Sequence, residues 1–287
     1  MIDALETSMT DTTSTPLEFA GAATAPSPAP RRRAPGESGL GWLLPLALLL
    51  TWQGASSLGA IANAIMPSPL AVLAAAWRLT LTGELPQSVW VSFLRASAGL
   101  VVGGGVGFAL GLANGLWRLS FDLTDSTLQM VRNVPHLALI PLVIVWFGIE
   151  EEAKLFLVSL GVFFPIYVNT LHGVRSVDPQ LIEMARSYGF GGARLFRRVI
   201  LPGALPSIFV GLRFALGVMW LTLIVAETIA AQSGIGYMAM QAREFMLVDV
   251  VLLAILIYAA LGKLADATAR ALERRCLSWH PAFQAKA

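Results

Sequence analysis

Residues 204–230 read ALPSIFVGLRFALGVMWLTLIVAETIA and form the apolar stretch on which the fold class depends. Arg213 and Glu227 are the two ionisable side chains in this stretch. About 20 consecutive apolar residues are needed for a helix to cross the hydrocarbon core of a bilayer, and this stretch is long enough. A single segment satisfies its backbone hydrogen bonds in lipid when it is helical. Residues 204–230 are therefore predicted to form a transmembrane helix.

The whole chain has the composition of a protein that lies largely in a membrane. Of its 287 residues, 56% are hydrophobic and 13% are charged, and the mean hydropathy is +0.68. Soluble domains carry about 25% charged residues, and half of that share leaves too little polar surface to cover a water-soluble body. The composition favours a polytopic helical membrane protein. The single cysteine, Cys276, excludes an intrachain disulfide and a metal site built on paired cysteines.

Five further apolar segments predict additional transmembrane helices, so the expected fold is an all-α membrane protein with about six spans. In chain order, the predicted spans are residues 40–58, 88–116, 126–147, 154–171, 204–230 and 247–267. Residues 63–83 separate the first two spans and contain Met66-Pro67-Ser68-Pro69 followed by an amphipathic stretch. This segment predicts a short helix that lies on the external membrane surface.

The charges of the connecting loops predict how the spans are oriented. Lys and Arg accumulate on the cytoplasmic side of membrane proteins. With a cytoplasmic N-terminus, the arginines at 31–33, 175–198 and 270–275 all lie inside, whereas the acidic loop at 150–152 lies outside. We therefore predict that both termini are cytoplasmic. The small net charge of +2 reflects this topology rather than a nucleic-acid partner.

The two ends of the chain differ in composition from the membrane domain. Residues 1–38 are dominated by Thr, Ser, Ala and Pro, and such a segment cannot bury enough apolar area to offset the entropy lost on ordering. We predict a disordered cytoplasmic tail at 1–38, a transmembrane domain at 39–275 with a long internal loop at 173–202, and a second cytoplasmic tail at 276–287. A cleaved signal peptide is disfavoured by the long leader, in which basic residues are absent before position 31.

Glycine recurs at every fourth position of the second predicted span. We call this set the glycine stripe: Gly99, Gly103, Gly107, Gly111 and Gly115. Steps of four stay near one helix face, and a face without side chains lets another backbone approach closely. The stripe therefore predicts a helix-packing surface. Pro135 and Pro141 in the third span and Pro165 in the fourth predict kinks, because proline removes a backbone donor from the helix.

The loop before the fifth span contains a short helix with strong capping signals. Asp178 suits the N-cap, Pro179 suits the first helical position, and Gly189 suits the position after the C-cap. Apolar side chains recur between them at helical spacing, namely Leu181, Met184, Ala185 and Tyr188. An exposed apolar face on the cytoplasmic side predicts a docking surface for a partner. A capped surface helix without a partner is the alternative.

This loop resembles the "EAA" loop of ABC importer permeases. The matching residues are Glu183, Ala185, Gly189, Val199, Leu201 and Pro202. Met184 stands where the motif has alanine, and Val199 where it has isoleucine, and both changes are conservative in packing. In that family the loop is the coupling helix, which docks in a groove on the cytoplasmic ATPase subunit. The resemblance implies this ATPase-coupling role for Leu181, Glu183, Met184, Ala185, Tyr188 and Gly189.

The likeness runs from about Pro67 to the C-terminus and is closest to the aliphatic sulfonate permease branch of the nitrate/sulfonate/bicarbonate group. It is carried by residues 132–141, 164–170, 183–189, 225–229, 233–237 and 242–245. It implies a type I importer of the bacterial inner membrane, with two copies of this chain, two ATPase subunits and a periplasmic binding protein. Aliphatic sulfonates are the expected substrate, and taurine, nitrate or another small anion remain alternatives.

The same resemblance implies that ATP and Mg are used by the partner ATPase, so no cofactor is expected on this chain. Residues 262–264 read Gly-Lys-Leu and lack both the upstream glycine and the hydroxyl of a phosphate-binding loop. An intramembrane enzyme would need a nucleophile–base pair or a metal constellation, and neither His-Glu-x-x-His nor Gly-x-Ser-x-Gly occurs. A secondary transporter should show two similar halves with matching broken helices, and no such repeat is seen.

Ionisable residues inside the predicted spans are candidates for function, because charges are costly in a bilayer. Arg95 and Glu227 lie at similar depths, so they either pair or line an aqueous pathway, where a positive charge would favour an anion. A structural ion pair or a snorkelling arginine is the alternative. His136 and Arg213 are further pathway candidates, although His136 could instead bond a carbonyl freed at Pro135.

The external loop at 232–237 holds two glycines that permit a tight turn. It is a candidate gate or a candidate docking site for the binding protein, with a plain connector as the alternative. The three histidines, His136, His172 and His280, are widely separated, so no metal site is expected.

Overall fold

The computed structural model of the chain describes residues 37–59, 62 and 65–279. The α-helices in these ranges are α1 Glu37–Ser57, α2 Pro69–Leu81, α3 Glu84–Leu116, α4 Arg118–Arg132, α5 Ile140–Phe147, α6 Glu151–Arg175, α7 Pro179–Ser187, α8 Gly192–Leu195, α9 Leu201–Ala230, α10 Ile235–Glu244 and α11 Val248–Cys276. The chain divides into two units after Leu48. Within the described residues, the first unit contributes the beginning of α1, and α2 to α11 belong to the second. The predicted tails at 1–38 and 276–287 fall almost wholly outside the described residues.

Four helices among the described residues are long and apolar enough to cross a membrane. They are α3, α6, α9 together with the turns that lead into it from Gly192, and α11. The bent pair of α4 and α5 supplies a fifth span if it is counted as one. These spans confirm the prediction of an all-α membrane protein, but the described residues contain four or five of them, where the sequence predicted about six.

The third predicted span, 126–147, is two helices rather than one kinked helix. The chain leaves α4 after Arg132, makes a 3-10 turn at His136–Leu139 and enters α5, with a bend of 79° between the two parts. Pro135 lacks a backbone donor and pushes the residue before it out of the helical region, which separates the helices. Pro141 lies in the first turn of α5, where the missing N–H is not needed. By contrast, α6 continues through Pro165 without a break.

The glycine stripe is the contact surface between α3 and α6. Gly99 lies against Val158 and Gly115 lies against Val174, so the two helices run parallel. At Gly103 the nearest atoms belong to the backbone of α6. Lipid tails are as apolar as the side chains, so helices in a membrane associate through such close packing. The missing side chains therefore allow α3 and α6 to touch backbone to backbone.

The direction of the remaining helices decides which residues share an end of the bundle. Gly173 near the end of α6 meets Ala204 near the start of α9, so these two helices are antiparallel. Trp220 of α9 packs edge-to-face on Tyr258 of α11 with ring centroids 6.2 Å apart. The starts of α3 and α6 and the end of α9 consequently lie at one end, which we call the network end. The loop between α6 and α9, which includes α7, lies at the opposite end.

The helix predicted between the first two spans is α2. The Ser68 side chain caps it by accepting a hydrogen bond from the Ala71 N–H at 3.2 Å, and Pro69 occupies the first turn. One face is buried through Val72 and Leu79, while Trp77 on another face is 68% exposed. The helix is therefore amphipathic, and its predicted position on the external membrane surface stays a prediction.

Candidate functional site

The short helix α7 has the caps that its sequence predicts. The Asp178 carboxylate accepts a hydrogen bond of 2.8 Å from the backbone of the first turn. At the other end Gly189 has φ +78°, a left-handed conformation that glycine adopts without strain. The N–H groups of Gly189 and Phe190 donate back to the carbonyls of Arg186 and Ala185 at 2.9 and 3.0 Å, which closes the helix as a Schellman motif. These caps hold α7 as a defined projection.

Three of the four apolar side chains predicted for one face of α7 are exposed. Leu181, Met184 and Tyr188 are 41%, 52% and 77% exposed, whereas Ala185 is 7% exposed. The prediction that Ala185 shares the exposed face is therefore wrong, because its position on the helix turns it toward the rest of the chain. Glu183 is also exposed. The outer surface of α7 is thus an apolar patch of three large side chains that no described residue covers.

A second group of candidate functional residues surrounds Glu227 at the network end. Glu227 is 1% exposed, and its carboxylate accepts hydrogen bonds from four other residues. Ser92 Oγ lies 2.8 Å from both oxygens, Arg95 Nη1 lies 2.8 Å from Oε1, and the Gly236 N–H and the Tyr258 hydroxyl lie 2.9 and 2.8 Å from Oε2. A buried carboxylate is tolerated when its charge is paired and its lone pairs are used. These donors meet both conditions.

All five N–H groups of Arg95 have acceptors, and the side chain is 7% exposed. In addition to Glu227, Nη1 donates to the Ser233 carbonyl at 2.6 Å, and Nη2 donates to the Ser233 hydroxyl at 2.8 Å. The Nε and Nη2 atoms donate to the two carboxylate oxygens of Glu151, each at 2.6 Å. This is the two-pronged geometry in which arginine binds carboxylates most strongly. Arg95 therefore connects α3 to α6, α9 and the loop after α9.

The loop at 231–234 lies on the ion pair because glycine permits it. Gly234 has φ +104°, and a Cβ there would lie 2.5 Å from Glu227 Oε1 and 2.7 Å from Arg95 Nη1. At Gly236 a Cβ would lie 2.5 Å from the Glu227 Cβ. The predicted tight turn thus also serves as a close cover for the buried charges.

Two of the four ionisable pathway candidates come together, and two do not. Arg95 pairs with Glu227 inside the protein, so in this conformation the Glu227 carboxylate does not face an aqueous space. The His136 Nε2 lies 3.0 Å from the Thr222 hydroxyl, which is a side chain and not a carbonyl freed at Pro135. Arg213 forms ion pairs with two carboxylates of α11 at 3.3 and 3.7 Å.

Lys154 also belongs to the network end, because its Nζ donates to Glu151 Oε1 at 3.1 Å. Four residues of the network end were not singled out by sequence, namely Ser92, Glu151, Lys154 and Tyr258. Ser92 lies about one helical turn before Arg95, and this spacing was a usable signal. Glu151 belongs to an acidic run with nothing to distinguish it from its neighbours. Tyr258 lies in an apolar span, and the hydropathy pattern of that span does not indicate which group the tyrosine hydroxyl contacts. These residues become recognisable once the helices are packed.

The chain matches the family model described as "Binding-protein-dependent transport system inner membrane component" over residues 103–278. The chain belongs to this family. The match includes α7 and Glu227, and it confirms the ABC importer assignment that the α7 loop suggested. The permease is therefore a multi-pass membrane component of a transport system.

Three curated relatives cover most of the permease. It is 60% identical over 245 residues to the putative aliphatic sulfonates transport permease protein SsuC of Escherichia coli K12, which covers 85% of this chain and 93% of the relative. It is 41% identical over 257 residues to the SsuC protein of Bacillus subtilis 168, with coverages of 88% and 93%. It is 39% identical over 247 residues to the taurine transport system permease protein TauC of E. coli K12, with coverages of 83% and 89%.

Proposed function

We propose that this permease is the membrane-spanning subunit of an ATP-driven importer for aliphatic sulfonates in the bacterial inner membrane. The 60% identity to a protein named as an aliphatic sulfonates permease carries the substrate proposal. Two copies of the chain form the translocation pathway, two ATPase subunits supply energy, and a periplasmic binding protein delivers substrate. ATP and Mg belong to the ATPase, and this chain is a non-catalytic subunit.

The exposed patch on α7 supports the coupling proposal. An unpaired apolar face on a short, rigid helix is the form that fits a hydrophobic groove on a partner. Closure of the ATPase dimer on ATP would pull the two α7 helices together and open the pathway at the network end. The caps of α7 suit this role because a frayed helix would transmit the displacement poorly.

Loop charges support a cytoplasmic α7 end. Five arginines lie within residues 175–198, next to α7, whereas the acidic run at 150–152 lies at the network end. Basic loops mark the cytoplasmic side. In this orientation α7 meets a cytoplasmic ATPase, the network end meets the periplasmic binding protein, and both termini are cytoplasmic.

Taurine is the second candidate substrate, supported by the 39% identity to a taurine permease. Taurine is itself a sulfonate with an added ammonium group, so both candidates share the anionic head group. Discrimination between them resides largely in the binding protein.

We expect Met184→Glu to reduce ATP-dependent uptake of a labelled alkanesulfonate at least tenfold. Met184 is 52% exposed, so the charge leaves the fold of the permease intact but must be desolvated when α7 docks in an apolar groove. The measurement is uptake into proteoliposomes that contain the permease, its ATPase and its binding protein. The control is Met184→Leu, which keeps an apolar side chain at the same place and should retain uptake.

The outcomes separate the parts of the proposal. Equal uptake by both variants would contradict docking through the α7 patch. Uptake of taurine but not of alkanesulfonate would replace the substrate and keep the mechanism. Uptake in the absence of the ATPase would contradict the importer assignment.

A further inference from the structure

The carboxylate of Glu151 sits in a cradle of donors from two cations. Arg95 Nε and Nη2 each lie 2.6 Å from it, and Lys154 Nζ lies 3.1 Å from Oε1. The Arg95 and Lys154 side chains are 7% and 3% exposed, whereas the Glu151 side chain is 61% exposed. The donor groups of this cradle are therefore buried, and the Glu151 carboxylate is the one part of it that reaches solvent.

The four charged groups that these contacts join are two cations and two carboxylates. Arg95 and Lys154 contribute two positive charges, and the enclosed carboxylate of Glu227 offsets one of them. Glu151 offsets the other. Withdrawal of Glu151 would leave three N–H donors of Arg95 and Lys154 without their carboxylate acceptor. An arginine edge with these donors binds planar and tetrahedral oxyanions equally well.

The cradle opens into a groove that three apolar residues line together with Arg95, Glu151 and Glu152. The groove has a volume of about 290 Å³ and is lined by Leu94, Ala98 and Leu155 beside the ion pair. Glu152 also lines it, but this carboxylate makes no salt bridge with any residue that the structure describes. A charged cradle at the edge of an apolar groove is complementary to a molecule with an anionic head and a short alkyl chain.

We propose that Arg95 and Lys154 form a binding site for the head group of an alkanesulfonate, which Glu151 occupies as an internal substitute in this conformation. The apolar groove formed by Leu94, Ala98 and Leu155 receives the alkyl chain. The proposal rests on the proposed function, since it names residues that contact the substrate of that importer. Glu151 acts as a competitor that leaves when the sulfonate enters and returns when it departs.

The tethered carboxylate of Glu151 lowers the affinity of the site for a free sulfonate. A group on a short tether competes as if it were present at millimolar concentration. A free sulfonate must displace Glu151, so the affinity of the unaltered permease is low, which suits a pathway that must also release its substrate. Removal of the carboxylate removes the competitor and leaves the cations in place.

The test is equilibrium binding of labelled 1-butanesulfonate to the full-length permease in nanodiscs of zwitterionic lipid. We expect Glu151→Ala to bind the ligand at least tenfold more tightly than the unaltered chain. Glu150→Ala is the matched control, because it removes the neighbouring exposed carboxylate, whose side chain makes no capping bond, and it should not change affinity. Adding Lys154→Met to Glu151→Ala should abolish the gain.

Several results would overturn the site. They are an unchanged affinity in Glu151→Ala, an equal gain in Glu150→Ala, and a preference for dimethyl phosphate over butanesulfonate, which would indicate a lipid head-group site. Thermal unfolding of each variant verifies that the protein is folded, and the single variant Glu151→Ala decides the question if Lys154→Met does not fold. If the unaltered transporter takes up sulfonate but Glu151→Ala shows no gain in binding affinity, the binding site is contradicted and the proposed function stands. A gain in binding without sulfonate uptake would contradict the proposed function alone.

Discussion

Replacing Glu227 by glutamine should lower the free energy of unfolding of the permease by about 3–5 kcal/mol, the cost of breaking a buried ion pair by removing one partner. Four residues donate hydrogen bonds to this carboxylate, among them Arg95 and Tyr258. Glutamine has the same shape but turns an amide NH₂ toward groups that are themselves donors. Arg95 would also lose the charge that balances it inside the bundle. The measurement is unfolding of the purified permease by SDS titration in mixed micelles.

Glu151→Gln is the matched control, because it makes the same chemical change in the other carboxylate of Arg95. The Glu151 side chain is 61% exposed although that of Arg95 is 7% exposed, so water reaches the carboxylate side of this pair, and ion pairs that water reaches contribute about 1 kcal/mol or less. We expect a small loss for Glu151→Gln and a large loss for Glu227→Gln. Similar losses would show that burial is not what makes the Glu227 pair important.

Gly103→Ala should prevent α3 and α6 from packing closely together. We therefore expect most of the permease that carries this substitution not to fold. A Cβ on Gly103 would clash with the backbone carbonyl oxygen and the Cα of Ser159. Backbone atoms cannot rotate away as the end of a flexible side chain can, so the helices must separate along the glycine stripe. The yield of monodisperse permease after detergent extraction, followed by its thermal unfolding midpoint, measures the effect.

Gly105→Ala tests the same substitution two residues away on the same helix. A Cβ on Gly105 would have no atom within 4 Å, and alanine is favoured over glycine in a helix by about 1 kcal/mol. We expect this variant to be as stable as the unaltered permease or slightly more stable. If Gly103→Ala behaved in the same way, the close contact between α3 and α6 would not hold the bundle together.

Features that depend on neighbouring residues could be predicted from the sequence. The caps of α7 involve residues within a few positions of one another, and the glycine stripe repeats along one helix. The apolar stretch at 204–230 exceeds the bilayer thickness whatever surrounds it. Fold class and family therefore follow from local patterns. The third span was misjudged because apolar length does not specify direction, and the break around Pro135 turns the chain by 79°.

The network end was determined by tertiary structure alone. Arg95 and Glu227 are 132 positions apart, and the sequence suggested that they share a depth but not what encloses them. Their remaining partners come from α3, α6, α10, α11 and the loop after α9. Which of these groups meet depends on how parallel and antiparallel helices pack. Local periodicity indicates which face of each helix is apolar. Whether two polar atoms come within 2.8 Å of each other depends on how two helices pack together. The sequence by itself thus determined a membrane permease, and the packing decided which charges it buries together.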